Sequence, residues 1–328
     1  MKVSVVVPAY NAAGTIRVCL AALEQQSVPS SDYEVIVVDD GSTDDTPDIV
    51  SHEFPGVRLL RQKNAGPAAA RNNGALAAQG EYVFFTDSDC RPLRDWIERM
   101  SAPFAADKEV AGVKGVYRTE QPQLTARFVQ IEYEDKYDLM RRDRYIDFID
   151  TYSAGFKRDI FNSMGGYDCS FPVACSEDAE FSFRLSNKGY KMVFVPEAVV
   201  YHIHPAAFCA YVRKKFKFAY WRMLAVKRNP NKLVKDSHTP QVMKVQLLLA
   251  PVVLVSALAA PFCAFSLVVF AGSFLMYLLL SVPFVLKAAR KDLPVGILAP
   301  VYLFARSLAQ FSGVSFGGLD VFLLNKYK

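Results

Sequence analysis

Residues Val245 to Leu286 form a run of 42 residues without a charged side chain. One bilayer crossing takes about 20 apolar residues in a helix, so the run is twice the length of a single span. Backbone polar groups cannot stay unpaired in hydrocarbon, and two helices joined by a tight turn satisfy them internally. Pro261, near the middle, marks the expected turn. Lys244 precedes the run, and Lys287, Arg290 and Lys291 follow it. Positive flanks at both ends predict that both ends face the cytosol. Residues 294–324 are also apolar but carry Arg306 and a glycine-rich stretch from Gly313 to Gly318. They read as a third span or as a helix lying in the interface.

The front of the chain has the opposite character. Residues 1–204 hold 22 Lys/Arg against 30 Asp/Glu, a net of −8, whereas residues 205–328 hold 16 against 3, a net of +13. Two environments are implied, not one globule: a domain over 1–204, a juxtamembrane segment over 205–244 and a membrane region over 245–328. The segment 205–244 contains ten Lys/Arg and one acid, Asp236, interleaved with aromatics such as Tyr211, Tyr220 and Trp221. Basic residues mixed with aromatics suit helices at a membrane surface. Their position before apolar segments favours anionic lipid headgroups over nucleic acid. Six cysteines with no CxxC pair predict reduced, mostly buried thiols of a cytosol-facing protein. Met1-Lys2-Val3-Ser4 runs straight into a strand, so no signal peptide is expected.

Within residues 1–204 the periodicity changes repeatedly. Val3–Val7 is a β-branched run ending at Pro8-Ala9-Tyr10-Asn11, and Glu34–Val38 is a second ending at Asp39-Asp40-Gly41-Ser42. Continuous apolar runs of this length predict strands buried on both faces, as in a parallel sheet. Helical spacing follows over Thr15–Gln26 and Ala68–Ala78, and Thr43-Asp44-Asp45-Thr46-Pro47 starts a helix, with a cap residue and proline in its first turn. Val57–Leu60 and Tyr82–Phe85 complete four strand–helix alternations. The α/β pattern predicts a doubly wound, mostly parallel sheet, in which ligands bind at the carboxyl ends of the strands. Asn11, Asp39, Asp40, Asp87 and Asp89 all fall at that edge. No GxGxxG or GxxxxGK[ST] motif is present, so the usual dinucleotide and P-loop solutions for holding phosphates lose support.

Asp87-Ser88-Asp89 follows the apolar strand Tyr82–Phe85. Two carboxylates one residue apart repel unless a cation lies between them. Mg²⁺ or Mn²⁺ with oxygen ligands meets that need and commonly carries phosphates as further ligands. A second acidic cluster, Ser176-Glu177-Asp178, opens a helix expected over Ala179–Lys188, whose dipole favours ionised carboxylates. His202 and His204 are expected to face one side of an extended segment, and one of them is a candidate further ligand.

VSVVVPAYN, VIVVDDGSTDDT, NAGPAAARNNG, FFTDSD and SEDAEFSFRL occur in that order within residues 1–204. Together they resemble family 2 glycosyltransferases. The resemblance implies a GT-A fold, a nucleotide-diphosphate sugar donor and a divalent metal. Carried over by position, Pro8, Ala9, Tyr10, Asn11, Asp39 and Asp40 resemble the nucleobase and ribose contacts. Arg71 resembles a residue near the diphosphate, with Ser88 inside the metal-binding motif. Asp87 and Asp89 resemble the metal pair, with His202 as a third candidate, and Asp178, beside Glu177, resembles the catalytic base of inverting members. The membrane segments add a lipid-linked or membrane-proximal acceptor, a cytoplasmic-membrane location and a cytosolic catalytic domain; oligomerisation is left open. Processive synthases of this family carry a QxxRW-type motif, but here Phe218-Ala219-Tyr220-Trp221-Arg222 lacks the glutamine. Transfer of a single sugar is therefore favoured over polymerisation. A non-catalytic nucleotide-sugar-binding protein is the other alternative, and retention of Asp39, Asp87, Asp89 and Asp178 argues against it. A nucleotidyltransferase would need a GxGxRL-type loop that is absent.

Overall fold

The computed structural model describes residues 2–171, 175–232 and 236–327. Two compact units emerge: residues 1–120 with 140–203, and residues 121–139 with 204–328.

The first unit begins with the alternation expected from its apolar runs. β1 (Val3–Ala9), α1 (Ile16–Glu24), β2 (Tyr33–Asp39), α2 (Thr46–Glu53), β3 (Arg58–Arg61), α3 (Pro67–Ala77) and β4 (Tyr82–Phe85) follow in order. β1 pairs in parallel with β2 and β4, and β2 with β3. Val5, Val6 and Val7 are fully buried, as are Ile36, Val37 and Val38, which is why both runs read as unbroken apolar stretches. α3 crosses close over β1 at Gly74. A Cβ there would stand 2.3 Å from Val6 Cγ1, so any larger residue would force the helix off the sheet.

The second half of the sheet departs from a purely parallel plan. It is built from β5 (Arg91–Pro92), β6 (Val110–Arg118), β7 (Ala154–Lys157) and β8 (Lys191–Tyr201), with α4 (Trp96–Ala106), α6 (Arg158–Ser163) and α7 (Glu177–Asn187) between them. The eight strands lie in the order β3-β2-β1-β4-β7-β6-β8-β5. β7 is antiparallel to both neighbours, β4 and β6, and β5 is antiparallel to β8. β6 and β8 are parallel, with irregularities near Gly112 and between Lys114 and Val116. Phe85, Phe156, Phe161 and Phe181 are fully or almost fully buried and their ring contacts form an aromatic core on one face of β4 and β7, while the buried Phe84 packs on the other face against Trp96 and Phe104. Each such side chain contributes about 1.5–3 kcal/mol of burial.

The second unit contains α5 (Leu124–Met140), α8 (Phe208–Arg228), α9 (Gln241–Ala259), α10 (Ala264–Lys291) and α11 (Leu293–Gly318), the last running on as a π-helical turn over Leu319–Leu323. α5 ends at Met140, where the chain enters turns around Arg141–Arg144. The basic helix α8 packs along α11: a Cβ at Gly313 or Gly317 would stand 2.4 Å from the α8 backbone, so these glycines allow the approach. Three helices are long and apolar enough to cross a membrane among the described residues: 241–259, 264–291 and 293–323. A turn containing Pro261 joins the first two. Arg306 is buried on α11, with Glu132 Oε1 at 3.0 Å and Gln246 Oε1 at 2.8 Å, so this charge in an apolar helix is neutralised inside the unit. Within the basic stretch, residues 233–235 lie outside the described ones.

Two expectations need correction. Cys19, Cys90 and Cys175 are buried but Cys169, Cys209 and Cys263 are exposed, so the thiols are free yet not mostly buried. His202 and His204 do not share a side. β8 ends at Tyr201, and the strand period does not continue past it. His202 stacks on Tyr117 in the first unit, whereas His204 stacks on Tyr133 and hydrogen-bonds Gln121 in the second.

Three such helices predict an integral membrane protein. Carbonate or high salt should leave it in the membrane pellet and detergent should extract it. Release by salt alone would show that the apolar helices do not enter the bilayer.

Candidate active site

Because β1, β2 and β4 are parallel, their carboxyl ends deliver loops to one edge. Register aligns Ala9 with Asp39 across β1 and β2, and Val6 with Phe85 across β1 and β4. Pro8 is half-buried, Ala9 is buried, and Tyr10 is 53% exposed beyond them. Asp39 is fully buried, and its Oδ1 accepts from Ser42 N at 3.2 Å. Its Oδ2 has no hydrogen-bond partner among the described residues; Arg61 Nε stands 3.4 Å away. A buried carboxylate oxygen without a donor is costly, and this one is suited to accept from a ligand hydroxyl or N–H.

Two neighbours serve the walls of this edge. Asp40 accepts from Gln62 Nε2 at 2.7 Å, Ala65 N at 2.8 Å and Gly66 N at 2.9 Å, so it fixes the loop that enters α3. Asn11, in a left-handed conformation with φ 49°, accepts from Thr43 N and donates its own N–H to Ser42 Oγ, both at 2.9 Å. Asn tolerates that conformation better than most residues. Gly41 between these loops has φ 78°, where any side chain would be strained.

Arg71 draws the second acidic cluster to the first. It lies on α3, 3% exposed, with Nη2 2.6 Å from Asp87 Oδ1 and Nη1 3.2 Å from Glu177 Oε1. α7 opens two residues earlier than expected, so Glu177 and Asp178 occupy its first turn. Ser176 precedes them in a left-handed conformation (φ 70°) and makes no side-chain cap bond, so the Ser-Glu-Asp stretch is not a serine-capped helix start. Glu177 is 2% exposed, and its Oε2 has no hydrogen-bond partner among the described residues. Asp178 is half-buried, and its Oδ1 accepts from Ala179 N at 2.7 Å. One guanidinium cannot neutralise Asp87, Glu177 and Asp178 together. Burial, then Asp178, push the Glu177 carboxyl up to about 8 against the pull of Arg71.

Asp89 points toward a different partner. The antiparallel register of Arg91 with Tyr201 carries the preceding residues past the end of β8. His202 Nδ1 thereby comes 3.3 Å from Asp89 Oδ1 and 3.8 Å from Cys90 Sγ. Ligand atoms of Asp89, Cys90 and His202 all lie within 4.8 Å of one another. Burial, then Asp87 and Asp89, push the Cys90 thiol well above its ordinary range, so it stays protonated and is a poor ligand for a hard cation. The carboxylate of Asp89 and the imidazole of His202 are both donors that a divalent cation can use. The half-buried Ser88 separates Asp89 from Asp87, which is held by Arg71. Cys90 and the Tyr117 ring against His202 had no readable sequence signal beyond the adjacency of Cys90 to Asp89.

Residues 4–165 match the family description "Glycosyl transferase family 2". A probable glycosyltransferase of Bacillus subtilis, YdaM, is 28% identical over 66% of this chain and 54% of its own length. The glycosyltransferase AglE of Haloferax volcanii is 29% identical over 66% of this chain and 71% of its own. A pre-mycofactocin glycosyltransferase of Mycobacterium tuberculosis is 30% identical over 70% of this chain and 48% of its own. The match thus spans about half the length of two of these three relatives. Among solved structures, the Pyrobaculum calidifontis mannosyltransferase PcManGT, in complex with GDP-Man and Mn²⁺, superposes with a TM-score of 0.59 at 20% identity. That match covers 97% of this chain and 86% of PcManGT. Staphylococcus aureus TarS gives 0.52 at 19% identity, covering 96% of this chain and 55% of TarS. The mixed, mostly parallel sheet is therefore GT-A-like.

Glu177 predicts a pH signature. The folded chain keeps this proton to about pH 8, the unfolded chain only to its ordinary 4.5. The group's stabilising contribution is full below 4.5 and is lost as pH rises toward 8. Thermal unfolding midpoints measured from pH 5 to 9 should fall less steeply in Glu177→Gln than in the wild type. Parallel curves would show that Glu177 ionises freely in the fold.

Proposed function

Residues 4–165 form a glycosyl transferase family 2 domain, and from that premise we propose a membrane-anchored, inverting glycosyltransferase that moves one sugar from a nucleotide-diphosphate sugar to a lipid-linked or membrane-proximal acceptor. The observation that carries this reading is Arg71: it ties Asp87, in the Asp-Ser-Asp loop, to Glu177, beside Asp178, across 90 residues of sequence. Donor-side and acceptor-side carboxylates are thereby part of one constellation.

Asp39 accepts a hydrogen bond from the nucleoside, for which its buried Oδ2, ion-paired with Arg61 but without a hydrogen-bond donor among the described residues, is suited, and Pro8, Ala9 and Tyr10 border the base. Asp89 and His202 would hold a divalent cation, with Asp87 beside them. When bound, such a cation stabilises the charge that develops on the departing diphosphate. Arg71 keeps Asp87 and Glu177 in place and adds positive charge near the diphosphate. Asp178 takes the proton from the acceptor hydroxyl as its oxygen bonds to the anomeric carbon and the carbon–phosphate-oxygen bond breaks. Attack from the face opposite the leaving group inverts that carbon. The apolar helices support an acceptor at the bilayer, with the catalytic domain on the cytosolic side.

Purified full-length protein with a panel of radiolabelled sugar nucleotides, with and without Mn²⁺, tests the reading. One donor should transfer label to a lipid fraction, and EDTA should abolish transfer until Mn²⁺ or Mg²⁺ is restored. Full activity in EDTA would remove the metal from the mechanism. Asp178→Asn retains size and hydrogen bonding but cannot take the proton, so turnover should fall about 10²–10⁴-fold while donor binding stays near normal. Near-wild-type turnover, or an equal loss of donor binding, would reduce Asp178 to a structural role.

A further inference from the structure

His202 follows the last residue of β8, where the strand no longer directs its side chain. Its backbone N–H donates to Arg118 O at 2.9 Å, which ties it to the end of β6. Its ring lies flat on Tyr117, with centroids 4.4 Å apart and planes 14° apart. Tyr117, itself buried, also stacks on the buried Tyr152, at an interplanar angle of 19°. Both rings lie nearly parallel to Tyr117 at close range, so they take its opposite faces and the three form a column.

The far end of the column is anchored. Lys114, 1% exposed, donates from Nζ to Tyr152 Oη at 3.0 Å and pairs with Asp150. A buried ion pair often adds no net stability over apolar packing. What this one supplies is a fixed place for Tyr152. Gly115 lets the turn Thr151–Ser153 lie against β6, since a Cβ there would collide with Ser153 Oγ, and Trp96 Nε1 donates to that oxygen at 2.8 Å. Lys114 and Tyr117, three residues apart, would face opposite sides under strict alternation, yet both reach Tyr152. The irregular pairing of β6 with β8 falls between them, and such irregularities re-aim side chains.

Stacking fixes the plane of an imidazole. Asp89 Oδ1 at 3.3 Å and Cys90 Sγ at 3.8 Å, both beside Nδ1, select between the two flips within that plane. We propose that Tyr117, backed by Tyr152 and Lys114, is a positioning residue that holds the His202 ring with Nδ1 toward Asp89 and so pre-forms a two-donor site for a divalent cation. The cation itself rests on the metal reading given under the proposed function. Groups that orient a metal-binding imidazole usually do so by a hydrogen bond to its other nitrogen; here a ring stack does it.

The test uses full-length protein in detergent, carrying ¹³C at Cε1 of its four histidines. In EDTA the His202 signal, identified by its loss in His202→Gln, should lie upfield of free histidine because of the Tyr117 ring current. Tyr117→Phe should keep that shift and Tyr117→Leu should lose it. Mn²⁺ binding, read by EPR without donor or acceptor, should weaken about 10- to 100-fold in Tyr117→Leu and stay near wild type in Tyr117→Phe. A cooperative unfolding transition in EDTA shows that Tyr117→Leu is folded, and Tyr117→Met takes its place should it not be. An unmoved His202 signal in the folded variant overturns the proposal, as does Mn²⁺ binding equal to wild type or a loss in Tyr117→Phe as large as in Tyr117→Leu. If His202 keeps its upfield signal but neither Asp89→Asn nor His202→Gln weakens Mn²⁺ binding, the metal assignment falls and the placement of the ring stands.

Discussion

A guanidinium buried to 3% exposure between the Asp87 carboxylate and the Glu177 carboxyl group holds the first unit's candidate functional edge together. Arg71 cannot be left unpaired in that environment. The chain must bring Asp87 and Glu177 to it from 16 residues downstream and from 106. Removing one partner of such a buried pair commonly costs about 3–5 kcal/mol, because the remaining charge stays desolvated. Everything near the edge is arranged consistently with this constraint. Gly74 lets α3 approach β1 closely enough for Arg71 to reach, and Asp40 pins the loop from which α3 starts.

Local signals made the first half of this unit legible. β1, β2 and β4 are buried on both faces, so their apolar runs stood out, and the polar residues that end them lie at one edge because the strands are parallel. In the other half, helix Trp96–Ala106 and strands Val110–Arg118 and Lys191–Tyr201 could be read from their apolar runs, but the antiparallel pairings could not. β5 is two residues long, and its pairing with β8 depends on a register that no local pattern encodes. That pairing brings His202 to Asp89, and β8 ends at Tyr201, before the strand period could keep His204 on the same side. Burial of thiols was over-read for a similar reason: exposure of Cys169, Cys209 and Cys263 depends on the surroundings of each, not on spacing.

The helical unit carries the same lesson in charge. Arg306 in an apolar stretch left two readings open, because its partner Glu132 lies 174 residues away on α5. α5 also supplies Asp135 and Asp138 to Lys287, and Glu134 to Lys291, the lysines that flank the end of the long apolar run. An acidic helix from the middle of the sequence thus neutralises cations at the end of α10. Charge balance in this unit follows three-dimensional neighbours, and the block-wise count of −8 and +13 conceals it.

The central claim is a single displacement at the anomeric carbon, with Asp178 taking the acceptor proton opposite the departing diphosphate. The configuration of the product reports on it most directly. An α-linked sugar nucleotide labelled with ¹³C at the anomeric carbon, transferred by the full-length protein and read by NMR, should give a β-linked product. An α-linked product would require either two displacements or attack on the same face as the leaving group, and would contradict the account.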